Sequence, residues 1–366
     1  MKKFLAKSIL FLFPFVLAVS IELFILPIDF FTFRVWEAIW VLKYRNLFPG
    51  HFYPNEEITK IEEGDLAPHT RFAIKKKVRW VTDRYGYRKQ NTDLQKHKIV
   101  IVGESNIAGS GLSQEEILSE VLEGQLRVSV YPYAPVGGIN SFLKDERFIE
   151  HSPDIVIFAR IERELLGLDA LKPIKAKRSF SKLKGKVKTN RMIQFLSIRL
   201  DRVSKMIMLH YFRASLRRGI STPEDLGSEP IFSEYGPIFF IQGREANRDV
   251  SREKLDKTVQ IIRSYNEVVR SRGIRFIFLP IPNKENIFYK CLETMKPVFL
   301  EQLISELKSY GVETIDTQRA FEEAFQKNKV LLYHTDDTHW NGNAVRIAAD
   351  LLIKVIGEND RTSPHF

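Results

Sequence analysis

Two short motifs, far apart in the chain, hold the residue types of a nucleophilic acyl-transfer site. Ser105 stands in a Gly-Glu-Ser-Asn run that follows an apolar stretch, and His339 stands in an Asp-Asp-Thr-His-Trp-Asn run. A histidine can take the proton of a serine hydroxyl while a carboxylate holds the other ring nitrogen. Asp336 and Asp337 precede the histidine by three and two residues, so either could be that carboxylate. Each motif alone is weak, since serines after strands are commonly turn or cap residues.

The elements that must bring these motifs together follow an alternating α/β pattern. Apolar runs without strict alternation predict parallel strands covered on both faces. Five such runs occur, at residues 98–103, 127–131, 153–159, 274–280 and 312–316. Helical spacing separates them, at residues 113–123, where a Ser-x-x-Glu capping box opens the helix, and at 252–272, 294–310 and 342–356. The sequence therefore predicts a doubly wound, flavodoxin-like, mainly parallel five-stranded sheet.

Residues 166–250 interrupt this alternation. They hold a basic segment, a predicted amphipathic helix at 192–216 and a Pro/Gly-rich stretch. We expect a helical insertion that caps one edge of the sheet. Ligands bind at the carboxyl ends of the strands in an open α/β sheet, and Ser105 follows the first strand directly, so the serine is expected at that edge. Its own backbone N–H can then point at a developing oxyanion.

Composition excludes several classes of protein. Apolar residues make up 44% of the chain and charged residues 28%, which are the proportions of a globular protein and not of a disordered one. The single cysteine, Cys291, excludes a disulfide framework within the monomer. The eight histidines form no His-x-x-x-His pair. The sequence therefore predicts no metal site and no bound cofactor.

The net charge of +11 is concentrated in one segment. Of the 56 Lys and Arg residues, 15 lie between Lys172 and Arg218, where Asp201 is the one acid. Such a segment could meet nucleic acid, anionic lipid or an anionic polymer. The N-terminal part of the chain decides which of these partners is plausible.

The N-terminus has the pattern of a membrane anchor. Three lysines in the first seven residues precede an apolar run at 8–27 that only Glu22 interrupts. About 20 apolar residues span a bilayer, so we predict an uncleaved signal anchor, with a cleaved signal peptide or a buried core helix as alternatives. Positive charge before the span places the bulk of the chain outside the cytoplasm, in the bacterial periplasm or at the cell surface, where nucleic acid is no partner. The aromatic residues at 30–53 are typical either of a membrane interface or of a helix packed on the domain.

Over residues 80–357 the two motifs together resemble the SGNH (GDSL-like) hydrolases and acyltransferases. The first motif departs from the family by Glu104 in place of the usual Asp. A Glu-Arg pair at 162–163 stands where many SGNH enzymes have Gly-x-Asn-Asp, and it is similar to the branch that contains the alginate acetyltransferases of the bacterial periplasm. The Pro-x-Pro-x-Lys run that ends at Lys284 and the Asp-Thr-His-Trp string are similar to the same branch. In those alginate enzymes, however, the Asp-x-His block precedes the serine, whereas here it follows.

This resemblance implies the roles of the two motifs. Ser105 would be the nucleophile and His339 the general base. The usual SGNH spacing, Asp-x-x-His, selects Asp336 as the orienting acid, and we favour it. The alginate-like spacing, Asp-x-His, selects Asp337.

The resemblance also implies an oxyanion hole and a substrate-binding group. Oxyanion donors would come from Arg163, Gly138 or Asn140, although an ion pair of Arg163 with a neighbouring glutamate and a plain tight turn at 138–140 are alternatives. The candidate substrate-binding residues, each of which could equally be structural, are Lys284, Tyr289 and Trp340.

The predicted domain organisation has four parts. They are a membrane anchor at 1–29, an aromatic juxtamembrane and lead-in segment at 30–90, an SGNH-like α/β domain at 91–357 with the basic insertion 166–250, and a C-terminal tail at 358–366. Within the lead-in segment, residues 80–88 resemble a stretch that precedes the first strand in membrane-anchored SGNH proteins.

The predicted function is that of a membrane-anchored, extracytoplasmic serine acyl-enzyme. We expect O-acetyl transfer to a cell-surface polysaccharide, or its deacetylation, through an acyl-serine. The expected partners are an acylated glycan or acyl ester, membrane lipid through the N-terminal helix, and a membrane-bound acyl-donor protein. The alternatives are a lipase or phospholipid esterase at the membrane surface and a catalytically silent glycan-binding protein. A distance above about 5 Å between the Ser105 hydroxyl and the His339 ring would favour the silent protein.

Overall fold

A five-stranded parallel sheet forms the centre of the computed structural model, which describes residues 2–30, 32, 34–43, 45–68, 70–90, 97–135, 138–173, 188–207, 230–241 and 250–360. The strands are β1 Glu57–Glu62, β2 Lys76–Val81, β3 Ile99–Val102, β4 Val130–Tyr133, β5 Ile155–Ile161, β6 Ile231–Ser233, β7 Gly236–Ile238, β8 Arg275–Ile281 and β9 Glu313–Thr314. The sheet has the order β4-β3-β5-β8-β9, and every neighbouring pair is parallel. This confirms the predicted doubly wound, mainly parallel five-stranded fold.

Helices cover both faces of this sheet. Among the described residues the α-helices are α1 Lys2–Phe24, α2 Val35–Ile39, α3 Ser105–Ala108, α4 Leu118–Leu126, α5 Ile139–Phe142, α6 Glu146–Glu150, α7 Arg191–Ile207, α8 Arg252–Arg270, α9 Lys284–Ile287, α10 Phe299–Ser309, α11 Thr317–Asn328 and α12 Gly342–Asp360. One core packs α2, α4, α11 and α12 against the sheet, and a second core packs α5, α8 and α10 against the opposite face. Burial on both faces explains why the strands are apolar without alternation.

Several predicted boundaries are wrong by a few residues. The second strand was expected at 127–131 but runs from Val130 to Tyr133, because Arg127 adopts the left-handed conformation that ends α4. The Ser113 capping box is present, but it opens a short 3₁₀ turn before α4 begins at Leu118. The helix expected at 294–310 begins at Phe299.

The lead-in segment packs into the first core. β1 and β2 form an antiparallel hairpin, and Phe48, Phe52 and Tyr53 are completely buried. The Trp36 and Trp40 rings stack with their centroids 5.3 Å apart. These aromatic residues therefore pack on the domain, as the second of the two interpretations of residues 30–53 has it. Phe31, Phe33 and Tyr44 lie outside the described residues.

The N-terminal helix is long and apolar enough to cross a membrane. α1 has 23 residues and contains an 18-residue stretch with a mean hydropathy of 2.2. No residue of that stretch is buried. The buried core helix is therefore wrong for this segment. Length and composition fit a signal sequence as well as an anchor.

The insertion is described in part. Its amphipathic helix, expected at 192–216, is described as α7 from Arg191 to Ile207. Residues 174–187, 208–229 and 242–249 lie outside the described part. The β6–β7 hairpin leads to Phe239, whose N–H donates to the Thr335 carbonyl at 2.8 Å. This end of the insertion therefore reaches the carboxyl edge of the sheet beside the His339 loop.

Candidate active site

Ser105 lies at the carboxyl edge of the sheet, where the sequence places it. β3 ends at Val102, the Gly103 N–H donates to the Tyr133 carbonyl of the neighbouring strand, and Ser105 is the first residue of α3. The close approach of Ile107 leaves no room for a Cβ at Gly103, so the turn needs glycine there. The side chain of Ser105 is half-buried and therefore reachable from solvent.

A chain of hydrogen bonds joins the two motifs. His339 Nε2 is 2.9 Å from Ser105 Oγ, and His339 Nδ1 is 2.6 Å from Asp337 Oδ1. The same Asp337 oxygen accepts the His339 backbone N–H at 3.0 Å. A carboxylate at Nδ1 favours the tautomer that carries its proton there, which leaves Nε2 free to take the serine proton.

The carboxylate at His339 Nδ1 is that of Asp337 and not that of Asp336, which the sequence spacing favours. Asp336 is completely buried, but its carboxylate accepts the N–H groups of Gly64 and Ile74 at 2.9 and 2.8 Å. Its carbonyl accepts the Leu66 N–H at 3.0 Å. Asp336 therefore fixes the lead-in segment against the His339 loop, while Asp337, one residue on, points to the ring.

A cluster of charges from the lead-in segment surrounds Asp337. Arg34 Nη2 and Lys76 Nζ are 3.6 and 3.9 Å from Asp337 Oδ2. Burial alone would raise the pKa of Asp337, but Arg34 and His339 hold it well below its usual range. The carboxylate therefore stays ionised beside the ring, and Arg34 balances its charge.

Asp65 is a second carboxylate near the ring. It accepts the Thr338 backbone N–H and hydroxyl, each at 2.8 Å, and it lies 3.6 Å from His339 Nδ1. Burial and the neighbouring Asp337 raise the pKa of Asp65. Sequence reasoning missed Arg34 and Asp65, because nothing local marks them and they lie more than 250 positions from the loop that they contact.

The same cluster offers the atoms that a cation would need. Ligand atoms of Asp65, Asp337 and His339 all lie within 4.8 Å of one another. Arg34 and Lys76 already neutralise Asp337, and His339 Nδ1 is engaged by the same carboxylate. This charge balance suits an orienting acid better than a divalent ion, which needs uncompensated oxygen ligands.

Glu104, the departure from the usual family motif, contacts the serine itself. Its Oε2 lies 2.9 Å from Ser105 Oγ and accepts the Asn106 N–H at 2.8 Å, while Oε1 accepts the Asn106 side chain at 3.0 Å. Asn106 in turn accepts the Trp340 N–H at 3.3 Å through its Oδ1. The serine turn and the histidine loop are therefore joined directly by Asn106.

Two of the predicted oxyanion donors, Gly138 and Asn140, lie after β4. The Asn140 side chain donates to the Ala170 carbonyl and accepts the Lys172 N–H, both at 2.9 Å, so it holds the start of the insertion, and an oxyanion role for Asn140 stays a prediction. Gly138 has φ +81° and lies after β4, whose end borders the Ser105 turn.

Arg163 lies in the short turn that follows β5. The Arg163 N–H donates to Asn283 Oδ1 at 3.1 Å. Within the described ranges its guanidinium has no hydrogen bond or ion pair, because Glu164 pairs with Arg160 at 2.8 Å. Buried Glu162 accepts the N–H of Asn283 and the side chain of Asn286. The Glu-Arg pair after β5 is thus held by α9 and the turn before it, while the Arg163 guanidinium has no partner among the described residues.

Two of the three candidate substrate-binding residues are buried and hold other parts of the site. Lys284 is buried and donates to the carbonyls of His334, Thr335 and Asp337, so it fastens the histidine loop. Burial lowers the pKa of Lys284 to about 8. Trp340 is completely buried, and its Nε1 donates to the Asn106 carbonyl at 3.1 Å. Lys284 and Trp340 are therefore structural, and substrate contact is wrong for both.

Tyr289 lies just beyond α9. It is half-buried, and Lys290 Nζ is 5.9 Å from the centre of its ring. Its backbone carbonyl accepts the N–H and the hydroxyl of Thr294. A substrate contact for Tyr289 stays a prediction.

Comparisons with known proteins agree with this description. A family model described as "SGNH hydrolase-like domain, acetyltransferase AlgX" matches residues 238–364, a range that holds His339 and Asp337 and not Ser105. No curated protein gives a significant match. Among solved structures, the chain is similar to a lipolytic protein of the G-D-S-L family from Desulfitobacterium hafniense, with 12% identity, 71% of this chain and 99% of that one covered, and a TM-score of 0.37.

A second similar structure is a GDSL-like lipase from Bacteroides thetaiotaomicron. It shares 11% identity, the match covers 74% of this chain and 92% of that one, and the TM-score is 0.35. The sheet order and the family match together support an acyl-transfer or esterase type of activity. The family match confirms the resemblance to the SGNH hydrolases and acyltransferases, and to their alginate acetyltransferase-like branch, over residues 238–364.

Proposed function

We propose that this chain is a membrane-anchored, extracytoplasmic enzyme that transfers an O-acetyl group to or from a cell-surface polysaccharide through an acyl-serine. The observation that carries the proposal is the unbroken chain from Ser105 Oγ through His339 to Asp337, with contacts of 2.9 and 2.6 Å. These lengths lie within the range that proton transfer requires. They argue against a silent glycan-binding protein.

The proposed reaction has two halves with the same groups in each. Ser105 Oγ attacks the ester carbonyl carbon while its proton passes to His339 Nε2, and Asp337 stabilises the imidazolium. The oxyanion faces the Ser105 N–H, the Gly138 N–H and the Arg163 guanidinium. The leaving alcohol then takes the proton from His339, which leaves an acyl-serine. In the second half, His339 takes a proton from a sugar hydroxyl or from water, whose oxygen attacks the acyl carbon and releases Ser105.

Two features support a polysaccharide acceptor and an acetyl group. The family model that matches residues 238–364 is that of an acetyltransferase. Among the described residues the Arg163 guanidinium has no hydrogen bond or ion pair, and such a cation at the carboxyl edge of the sheet suits an anionic polymer. α1 supports a membrane location by its length and hydropathy.

The first test is ester hydrolysis by the full chain in detergent. We expect wild type to release 4-nitrophenol from 4-nitrophenyl acetate, and Ser105→Ala and His339→Ala to lose about 10³-fold or more of kcat/KM. Ser309→Ala and His151→Ala are matched controls on the surface, and we expect them to keep wild-type activity. If wild type is no faster than Ser105→Ala, with both folded by circular dichroism, the acyl-serine mechanism is wrong.

Adding the polymer separates transferase from esterase. With the same acetyl donor, we expect an uncharged or uronic-acid polysaccharide to accelerate release of 4-nitrophenol and to carry acetyl groups by NMR. Faster cleavage of long-chain esters than of acetyl esters, with no acetylated polymer, would favour the lipase alternative instead.

A further inference from the structure

α7 is an amphipathic helix with its polar face buried. Its buried side chains are Gln194, Ser197, Asp201, Arg202, Ser204 and Lys205. Apart from Arg191 at its first residue, the exposed side chains described in α7 are apolar: Met192, Phe195, Leu196 and Leu200 are each more than half exposed. These four positions follow helical spacing and therefore share one face. A helix of a water-soluble surface has the opposite arrangement.

Polar contacts fix this orientation. Asp201 accepts the N–H groups of Leu42 and Lys43 at 3.1 and 2.9 Å and the Tyr53 hydroxyl at 2.7 Å. Lys205 donates to the Ala38 carbonyl at 3.1 Å. α7 cannot rotate its apolar face inward without breaking these bonds, so the exposure of that face is built into the fold.

α7 also contacts the C-terminal end of α1. Arg202 pairs with Glu22 at 3.2 Å and also donates to the Glu22 and Leu26 carbonyls. Arg199 donates to the Leu23 carbonyl at 2.6 Å, and its guanidinium lies 4.8 Å from the Phe24 ring. Phe24 and Ile25 are themselves more than two thirds exposed. The apolar face of α7 is therefore continuous with the exposed apolar end of α1.

We propose that the apolar face of α7, formed by Met192, Phe195, Leu196 and Leu200, lies in the interface of the bilayer that α1 spans, with its side chains among the lipid acyl chains. This inference rests on the membrane anchoring in the proposed function. Continuity with α1 selects lipid as the occupant, because a surface docked to the end of a membrane span meets the headgroup region first. The lysines and arginines that flank α7 in the sequence suit anionic headgroups.

Site-specific labelling of the full chain in vesicles tests the proposal. In a Cys291→Ser background, single cysteines replace Leu196, Leu12 in α1, or Tyr310, and each carries a nitrobenzoxadiazole label. Tyr310 is a matched control because it is apolar and 54% exposed but follows α10, before β9, at the amino edge of the sheet. The vesicles contain phosphatidylcholine and phosphatidylglycerol with a spin label near the top of the acyl chain. Circular dichroism and ester hydrolysis confirm that each variant is folded.

The three positions distinguish the outcomes. We expect the lipid spin label to quench Leu12→Cys and Leu196→Cys at least about threefold more than Tyr310→Cys, with iodide in solution showing the reverse order. Quenching at Leu12 but not at Leu196 would overturn the proposal for α7 and leave the anchor intact. Quenching at neither position would overturn the anchor too. Disulfide cross-linking between Leu196→Cys copies without lipid quenching would identify a second copy of the chain as the occupant, and would also overturn the proposal.

Discussion

The hydroxyl proton of Ser105 has two acceptors within hydrogen-bond distance. Glu104 Oε2 and His339 Nε2 both lie 2.9 Å from Ser105 Oγ. A hydroxyl has one proton to donate, so these two bonds cannot both be made by it at the same time. Only transfer to His339 fits the acyl-serine mechanism, in which the same ring later protonates the leaving alcohol. Glu104 is therefore a competitor for the proton as well as the cap of α3.

Shortening Glu104 should favour the productive bond. Glu104→Asp keeps a carboxylate for the Asn106 N–H but withdraws it from Ser105 Oγ, so we expect kcat/KM on 4-nitrophenyl acetate to rise by about two- to tenfold, equivalent to no more than about 1.4 kcal/mol. Steady-state kinetics at neutral pH measure this. A fall of tenfold or more, with the fold intact, would mean that Glu104 itself takes part in proton transfer.

The two adjacent aspartates should respond very differently to the same substitution. Asp337→Asn presents an amide to His339 Nδ1 and favours the wrong tautomer, so we expect kcat to fall by about 10³- to 10⁴-fold. Asp336→Asn keeps an oxygen for the Gly64 and Ile74 N–H groups, so we expect activity within about threefold and a loss of about 1–2 kcal/mol in unfolding free energy. Equal losses of kcat in both variants would contradict the assignment of Asp337.

Asp337 should also contribute to stability in a pH-dependent way. Its pKa in the fold is held well below its usual range, so the stabilisation is present above the unfolded pKa of about 4 and is lost as the pH falls through the folded value. We expect the difference in unfolding free energy between wild type and Asp337→Asn to be constant from about pH 7 to 5 and to shrink below about pH 4. Urea denaturation at a series of pH values measures it. A difference that grows on acidification would contradict this assignment.

Sequence spacing singled out Ser105 and His339, which the structure brings together, but it favoured Asp336, whereas Asp337 contacts the ring. Ser105 and His339 lie in local motifs whose chemistry is visible in the residue types. Asp336 and Asp337 differ only in where a tight loop points each side chain, and that direction is set by Gly64 and Ile74 of a distant segment. Similarly, Asn140 follows β4, where the resemblance implies an oxyanion donor, but its side chain is hydrogen-bonded to the backbone at the start of the insertion.

At the scale of elements, buried cations hold the loops that carry the site. Lys284, in α9, donates to three carbonyls of the histidine loop. Arg88, at the end of the lead-in segment, is completely buried and donates to the carbonyls of Ala108, Gly109 and Leu112, just after Ser105. Burial lowers the pKa of Arg88 to about 9. Both loops therefore depend on a donor from another element.

Replacing Arg88 should loosen the serine turn. Arg88→Lys supplies a single ammonium where a planar fork meets several carbonyls, so we expect unfolding free energy to fall by about 2–4 kcal/mol and kcat to fall with it. Arg79→Lys is the matched control. Its ion pairs with Glu57 and Glu115 lie at the surface, so we expect a loss of no more than about 1 kcal/mol. Denaturant unfolding compares the two, and equal losses would contradict the role of Arg88.

The sheet was more predictable than the contacts of its edges. Buried strands need continuous apolar runs, which the sequence displays, so all five strands were found within a few residues. The start of β4 differs from the predicted one because Arg127 ends α4 in a left-handed conformation. Residues other than glycine rarely adopt this conformation, so the residue type does not predict it. Residues 80–88 resemble a lead-in stretch, but no local pattern indicates that Arg88 of that segment supports the serine turn.

At the scale of the whole molecule, the apolar helix α1 leads within a few residues to a side chain of the candidate active site. Arg34 follows the end of α1 by ten residues and contacts Asp337, Asp65 and Ser110. The same stretch carries the aromatic residues that pack into the first core. In the proposed function, this stretch joins the membrane anchor to the part of the chain that carries the reacting serine.

The measurement that tests the central claim most directly is peptide mass mapping of the acyl-enzyme. The full chain is mixed with 4-nitrophenyl acetate, quenched in acid within the first turnovers, and digested. We predict one added acetyl group on Ser105 in wild type, none on that peptide in Ser105→Ala, and much slower acetylation in His339→Ala. Release of 4-nitrophenol by wild type with Ser105 unmodified throughout, or with the acetyl group on another residue, would contradict the acyl-serine mechanism.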